Sequence, residues 1–219
     1  MEKRHDITLG APLGAIGIEL LSIITPAQAN YLWLEQAEDG IKGYWGLYES
    51  ERLNPAGLTA TRAFLQDGAD LNLTRTAEAI AIASPSAADL RLSAQAVSAG
   101  NVLNFYQARF GREETKAVND LELVPTTSNG NTFKLVWKGT VVAASQVNVT
   151  TSAGWLRSLK PAEDGSVSLE TPFPGLYLLE VTARVNGSMT YQGKKYEDVR
   201  HTATLSFVVP AASSAEARQ

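Results

Sequence analysis

His201 is the one imidazole beyond the first thirty residues; the other, His5, sits close to the start of the chain. A Ser-His-Asp arrangement, a metal site or a proton relay near neutral pH would each draw on it. Its setting, Arg200-His201-Thr202, opens an alternating stretch and contains no nucleophile elbow. That context predicts an edge histidine partly in water, with a metal ligand and a catalytic base as the other uses of the ring. Carboxylate pairs occur at Glu113-Glu114, Glu163-Asp164 and Glu197-Asp198. Glycosidase-type acid/base work needs two carboxyls facing each other across a cleft. Each pair here lies in a turn or a charged link, so solvated surface is expected for all three. The glycines at 10, 14 and 17 follow no strand and make no dinucleotide fingerprint. Cysteine is absent, which removes disulfides, zinc–thiolate centres, iron–sulfur clusters and cysteine nucleophiles together. Trp33, Trp45, Trp137 and Trp155 have the ring area for a sugar platform, yet their strand spacing predicts core packing. Sequons at Asn72, Asn148 and Asn186 permit glycosylation and require nothing. These residues point away from an enzyme.

The elements that must position them are strands. In the second half Phe133, Leu135 and Trp137 alternate with Lys134, Val136 and Lys138. Tyr177, Leu179, Val181, Ala183 and Val185 share one face, against Glu180, Thr182 and Arg184 on the other. Ala203, Leu205, Phe207 and Val209 repeat the pattern, with Thr202, Thr204 and Ser206 predicted to face water. Turn chemistry separates the runs at Ser128-Asn129-Gly130, Glu163-Asp164-Gly165, Pro172-Phe173-Pro174-Gly175 and Asn186-Gly187. In the first half Tyr31–Leu34, Leu71–Thr74, Ala79–Ile82, Leu90–Leu92 and Leu103–Ala108 read as strands, Phe105 and Gln107 sharing a face. Glu49–Gln66, with Asn54-Pro55-Ala56-Gly57 inside it, is expected to be a long loop or to carry a short helix after the proline. The charged run near Arg112–Asn119 reads as a solvated link. The expected fold is all-β: two consecutive immunoglobulin- or prealbumin-like antiparallel β-sandwich domains, residues 30–115 and 119–210, with a frayed tail at 211–219.

Lys3 and Arg4 precede an apolar run from Leu9 to Ile24, and Ala27-Gln28-Ala29 offers the small-x-small pattern of a signal peptidase site. Residues 1–29 are therefore predicted to be a secretory signal, placing the mature chain in the periplasm or outside the cell. Glu19 within the run costs about 2.5–3.5 kcal/mol on insertion scales; an amphipathic helix packed on the domain is the alternative. The run is too short for a membrane span. After cleavage 20 acids stand against 17 bases, and this weak acidity argues against a nucleic-acid partner, which calls for a basic surface.

The stretch Ala27-Gln28-Ala29-Asn30-Tyr31-Leu32-Trp33-Leu34-Glu35 and the aromatic patch Tyr44-Trp45-Gly46-Leu47-Tyr48-Glu49 resemble the start of a bacterial periplasmic family. Further along, Asp164-Gly165, Pro172-Phe173-Pro174-Gly175-Leu176-Tyr177, Gly193-Lys194-Lys195-Tyr196 and His201-Thr202-Ala203-Thr204-Leu205 extend the similarity. The chain is similar to the NikK-like periplasmic component of nickel/cobalt uptake systems. That resemblance implies a non-enzymatic accessory that binds Ni²⁺ or Co²⁺ and hands it to a membrane transporter component. Its candidate ligands here are Asn30, His201 and Glu35. Where the family carries a histidine after the cleavage point, this chain has Asn30, which keeps an α-amine and replaces the imidazole with a weak amide oxygen. The competing expectation is an interaction module that holds a polysaccharide or a partner protein.

Overall fold

The computed structural model describes residues 29–83, 89–144, 146–185 and 188–211. The predicted signal up to Gln28, the Asn186-Gly187 turn with its sequon, and the tail beyond Ala211 lie outside the described residues. The first half forms β1 (Tyr31–Ala37), β2 (Gly40–Leu47), β3 (Glu51–Leu53), β4 (Thr59–Phe64), β5 (Asp70–Leu71), β6 (Leu73–Arg75), β7 (Ile80–Ile82), β8 (Leu90–Ser98) and β9 (Val102–Phe110). The second forms β10 (Leu121–Pro125), β11 (Thr132–Trp137), β12 (Thr140–Val142), β13 (Val147–Thr151) and β14 (Leu156–Leu159). It continues with β15 (Ser166–Ser168), β16 (Gly175–Val185), β17 (Met189–Tyr191), β18 (Lys194–Tyr196) and β19 (Asp198–Val209).

The fold is all-β and sandwich-like. The stretch expected as a long loop is instead β3, a 3-10 turn at Pro55–Gly57, and β4. Asn54 starts that turn, its side chain accepting the Ala56 N–H at 2.9 Å. Proline suits the first position because its missing N–H would have had no partner there. No helix of the described residues is long and apolar enough to cross a membrane.

Eight strands make one sheet in the order β14-β13-β16-β19-β9-β8-β4-β5. Its middle joins the two halves: β19 runs parallel to β9, from Asp198 beside Val102 to Ser206 beside Phe110. An antiparallel expectation misses this pair because nothing local to either strand specifies it. A second sheet of β1, β2, β3, β6 and β7 belongs to the first half, and a third of β10, β11, β12 and β15 to the second.

Side chains alternate across a strand, so register reveals which face each outer sheet covers. Leu90, Leu92, Ala94, Tyr106 and Ala108 bury with Leu32, Leu34 and Ile80 in one core. Tyr177, Leu179, Val181, Leu205 and Phe207 bury with Leu121, Phe133 and Leu135 in another, with Trp137 packed against it. Ala108 pairs with Thr204, and Arg109 with Leu205. The two cores therefore lie on opposite faces of the shared sheet.

The apolar face of β19 is the one its alternation predicts. Its other face corrects the expectation: Thr202, Thr204 and Ser206 are buried, because β1 lies over them. The Thr204 hydroxyl donates to the Leu32 carbonyl at 2.7 Å. In the second half the Tyr177 hydroxyl accepts the Phe173 N–H at 3.0 Å and donates to the Phe173 carbonyl at 2.9 Å. This tyrosine corner pins the Pro172–Gly175 turn, a device of immunoglobulin-type sandwiches.

Candidate binding groove at the junction of the two halves

Arg91 and Arg109 sit side by side on β8 and β9, fully buried, on the face that carries the second core. Arg109 donates to Asp89 Oδ2 at 2.5 Å and to Glu122 Oε1 at 3.0 Å. Arg91 donates to the same Glu122 oxygen at 3.0 Å and to the Glu114 carboxylate. Rigid guanidinium forks suit such shared, buried carboxylates. Burial opposes the charge on Arg91, but Glu122 and Glu114 outweigh it and hold its pKa above the ordinary value. The other Glu122 oxygen accepts the backbone N–H groups of Val118 at 2.9 Å and Asn119 at 2.8 Å. Gly111 enters this segment with φ +95°, and a Cβ there would collide with the Asp89 carboxylate. Within the link predicted to be solvated, Glu113 and Lys116 are exposed, but Glu114 is drawn onto Arg91 and the Val118 and Asn119 N–H groups onto Glu122, which pins the segment to the sheet.

The pinned segment Val118–Asp120 walls one side of a groove of about 210 Å³. Arg62 and Phe64 of β4 wall the other, and Gln95, Phe105 and Gln107 of β8 and β9 line its floor. Gln107 and Asn119 are only 8% and 7% exposed. Gln107 Oε1 and Asn119 Nδ2 are nevertheless without a hydrogen-bond partner among the described residues. Arg62 is already engaged: Nε donates to Asp70 at 2.6 Å, Nη2 donates to the Gly68 carbonyl at 2.8 Å, and the guanidinium lies 4.4 Å over the Phe64 ring. Asp120 is exposed, with no ion pair among the described residues. The β17–β18 hairpin reaches the groove through Tyr191, which meets Phe105 edge-on at 5.3 Å and accepts from Gln95 Nε2 at 3.1 Å.

His201 lies beside Phe105 in register on the same face. The two rings stack 4.5 Å apart, and Trp137 meets the imidazole edge-on at 4.7 Å. Phe105 lines the groove and His201 does not. The expected edge histidine is in fact 5% exposed, because β19 is a central strand held between β16 and β9. Its Nδ1 has no partner among the described residues. Burial pushes its pKa from 6.5 down to about 4, with Asp120 pulling it up and Lys138 pulling it down. The ring is therefore neutral at pH 7.

The candidate metal ligands are not brought together. Asn30 is half-buried just before β1. Glu35 accepts from Trp33 Nε1 at 2.7 Å and from Arg52 Nη2 at 3.5 Å. Strand β1 covers the face of the shared sheet that bears Thr202 and Thr204, whereas His201 emerges on the opposite face. An amide, an engaged carboxylate and an enclosed imidazole beyond a sheet do not make a nickel or cobalt chelate. Among the described residues no group of three or more His, Cys, Asp or Glu is placed to hold a metal ion.

Of the carboxylate pairs, Asp164 remains on an exposed turn and accepts the Ser166 N–H at 3.0 Å. Asp198 departs from expectation: it is buried, 2.8 Å from Arg184 and 3.4 Å from Arg200. The tryptophans are packed rather than presented, Trp33 wholly buried among Tyr31, Tyr44 and Tyr48. Sequence reasoning missed Asn119 and the Arg91–Arg109–Glu122 cluster. The available signal was Gln107 and Arg109 continuing one face of a strand whose other face is apolar. No known protein-family pattern and no curated protein matches the chain.

Proposed function

We propose that this chain is an exported, non-enzymatic binding module whose ligand site is the junctional groove. One observation carries the reading: a groove of about 210 Å³ lies at the junction, lined by the polar side chains of Gln95, Gln107, Asn119 and Asp120. The cluster around Glu122 supports the reading, because it holds the Asn119 backbone in place before any ligand arrives. Ser93, the hydroxyl lining the groove, has no base hydrogen-bonded to it among the described residues, which favours holding over reacting. Export rests on Lys3-Arg4, the apolar run and Ala27-Gln28-Ala29, with β1 starting at Tyr31 just beyond. Delivery of a metal to a transporter component is the weaker reading, since its ligands are divided by the shared sheet.

The test is a screen of small polar fragments (amides, polyols, amines and carboxylates) against isotope-labelled protein. At least one fragment is expected to shift the side-chain amide resonances of both Gln107 and Asn119 in a saturable way. Ser93→Trp, which fills the groove from its floor, should abolish those shifts. A screen that leaves both amides unmoved overturns the proposal.

A further inference from the structure

We infer that one end of the second half, the paired turns around Trp155 and Phe173, is a tip that inserts its apolar side chains into the interface of a lipid bilayer. The two turns form one surface. The Ser152 N–H donates to the Leu176 carbonyl at 3.0 Å, the Ser152 hydroxyl accepts the Leu176 N–H at 2.9 Å, and Trp155 meets Phe173 edge-on at 6.1 Å. The surface is also set in advance. The Tyr177 hydroxyl holds both the N–H and the carbonyl of Phe173, and the Thr151 hydroxyl accepts the Trp155 N–H at 3.1 Å. This fixed frame leaves Leu156 59% and Phe173 39% exposed, with Pro172 and Pro174 exposed on either side of the phenylalanine. Covering those side chains adds little ordering cost, because the backbone that carries them is already held.

The chemistry and direction of these groups select a bilayer. Residues 150–156 and 171–179 contain no charged side chain, so insertion strips no ion of its water. The first charges beyond are Arg157 on one turn and Glu170 on the other, one of each sign. The Arg157 guanidinium stands over the Trp155 ring at 5.0 Å; its stem can lie along apolar surface while the charge stays among the headgroups. The apolar groups also point two ways. Trp155 packs against the second core, whereas Leu156 stands in register with Thr150 and Leu178, on the opposite side of the shared sheet from Val149 and Leu179. Val208, 43% exposed beside Leu176, lies on the Leu156 side. The facet of a partner protein covers one side of such an edge; a bilayer encloses both. A tryptophan at the margin of the tip suits the interface, where a ring with a polar N–H sits between headgroups and acyl chains.

The experiment is flotation of the full chain with vesicles of phosphatidylcholine alone and of phosphatidylcholine mixed with phosphatidylglycerol. The protein is expected to float with both, at affinities within about threefold of each other, since apolar area and not charge drives the contact. Phe173→Ser and Leu156→Ser should each weaken the partition by about threefold or more, and the double variant by about tenfold or more. Val97, 50% exposed, lies in the row of Leu103 and Val199 at the far end of β19 from the tip, and Val97→Ser should change nothing. In the wild type, lipids brominated along the acyl chain should quench tryptophan emission, and Trp155→Tyr should remove most of that quenching. This second measurement does not depend on how well the serine variants fold. Partition that survives the double variant, carried by the apolar run Leu9–Ile24 or by any other surface, overturns the tip, as does an equal loss in Val97→Ser. Quenching that persists in Trp155→Tyr does the same. Flotation with the anionic vesicles alone overturns insertion in favour of surface charge. No flotation overturns the proposal; if the protein instead self-associates and Phe173→Ser abolishes that, the tip meets a second copy.

Discussion

The imidazole of His201 lies flat on the ring of Phe105, 4.5 Å between centroids and 8° between planes. Phe105 belongs to the first half and His201 to the second, and they meet in register across the parallel pair that joins the halves. The contact sits where the second core gives way to the groove, so the titration of one buried ring reports on the junction.

That titration predicts a loss of stability in mild acid. Unfolded, His201 takes its proton near pH 6.5; folded, burial holds its pKa at about 4. Between those values the unfolded chain carries the proton and the folded chain does not, so unfolding becomes easier as pH falls through the window. Below pH 4 both states are protonated and this contribution levels off. At 1.36 kcal/mol per unit the full effect is about 3 kcal/mol. Urea unfolding of the wild type from pH 7 to 4 should show the decline relative to His201→Phe, which keeps an aromatic ring against Phe105. Parallel curves for the two proteins would remove His201 as its cause.

The two faces of β19 predict different costs from those that simple alternation would assign. Leu205→Ala should lose about 2–5 kcal/mol from the second core. Thr182→Ala, at an exposed position on β16, removes the hydroxyl that meets the buried Thr202 hydroxyl at 3.0 Å and should cost about 1 kcal/mol. Thr204→Val keeps the shape but removes the donor to the Leu32 carbonyl, and should cost about 1 kcal/mol. Denaturant midpoints of the three variants give the comparison. A neutral Thr204→Val would mean that β1 does not lie on β19 as described.

Alternation made the strands of the second half and the apolar face of β19 legible, because each is set by neighbours two residues away. The buried side of β19 was not, since Thr202, Thr204 and Ser206 are polar by type and are covered only through β1, from the far end of the chain. The parallel partner β9 is equally remote. The groove was hardest to see. Gln107 lay on a strand face that the sequence marks, but Asn119 gains its meaning from Glu122, whose carboxylate is fixed by two arginines on other strands. In the charged link Glu113 and Lys116 are exposed as read, whereas Glu114 finds its partner Arg91 in space and not in sequence.

Glu122 should therefore be among the costliest side chains to remove. Glu122→Leu leaves Arg91 and Arg109 buried with one carboxylate fewer, a change expected to cost about 3–5 kcal/mol. It also frees the Val118 and Asn119 amides, whose hydrogen exchange should accelerate ahead of the β16 and β19 amides. Uniform acceleration along the chain would show that Glu122 acts on global stability alone and does not hold the groove wall.

The placement of His201 also predicts how an introduced metal site would behave. With the chain cleaved after Ala29, Asn30→His would supply an α-amine and an imidazole on one residue, a nitrogen pair suited to Ni²⁺ and Cu²⁺. Affinity should rise over the wild type and weaken as pH falls through about 8 to 6.5, where both nitrogens take up protons. His201 should contribute nothing, because β1 and the imidazole lie on opposite faces of the shared sheet and the ring is enclosed by Phe105 and Trp137. Adding His201→Ala to the Asn30→His protein should thus leave Ni²⁺ affinity unchanged within about twofold, a difference near 0.4 kcal/mol, when followed by titration calorimetry at pH 7.5. The cleaved terminus must be verified by mass spectrometry, since an uncleaved chain has an amide nitrogen at residue 30 and no amine to donate. A tenfold loss on adding His201→Ala would mean that the two ends of the mature chain share a site after all, and the division of the candidate ligands by the sheet would have to be given up.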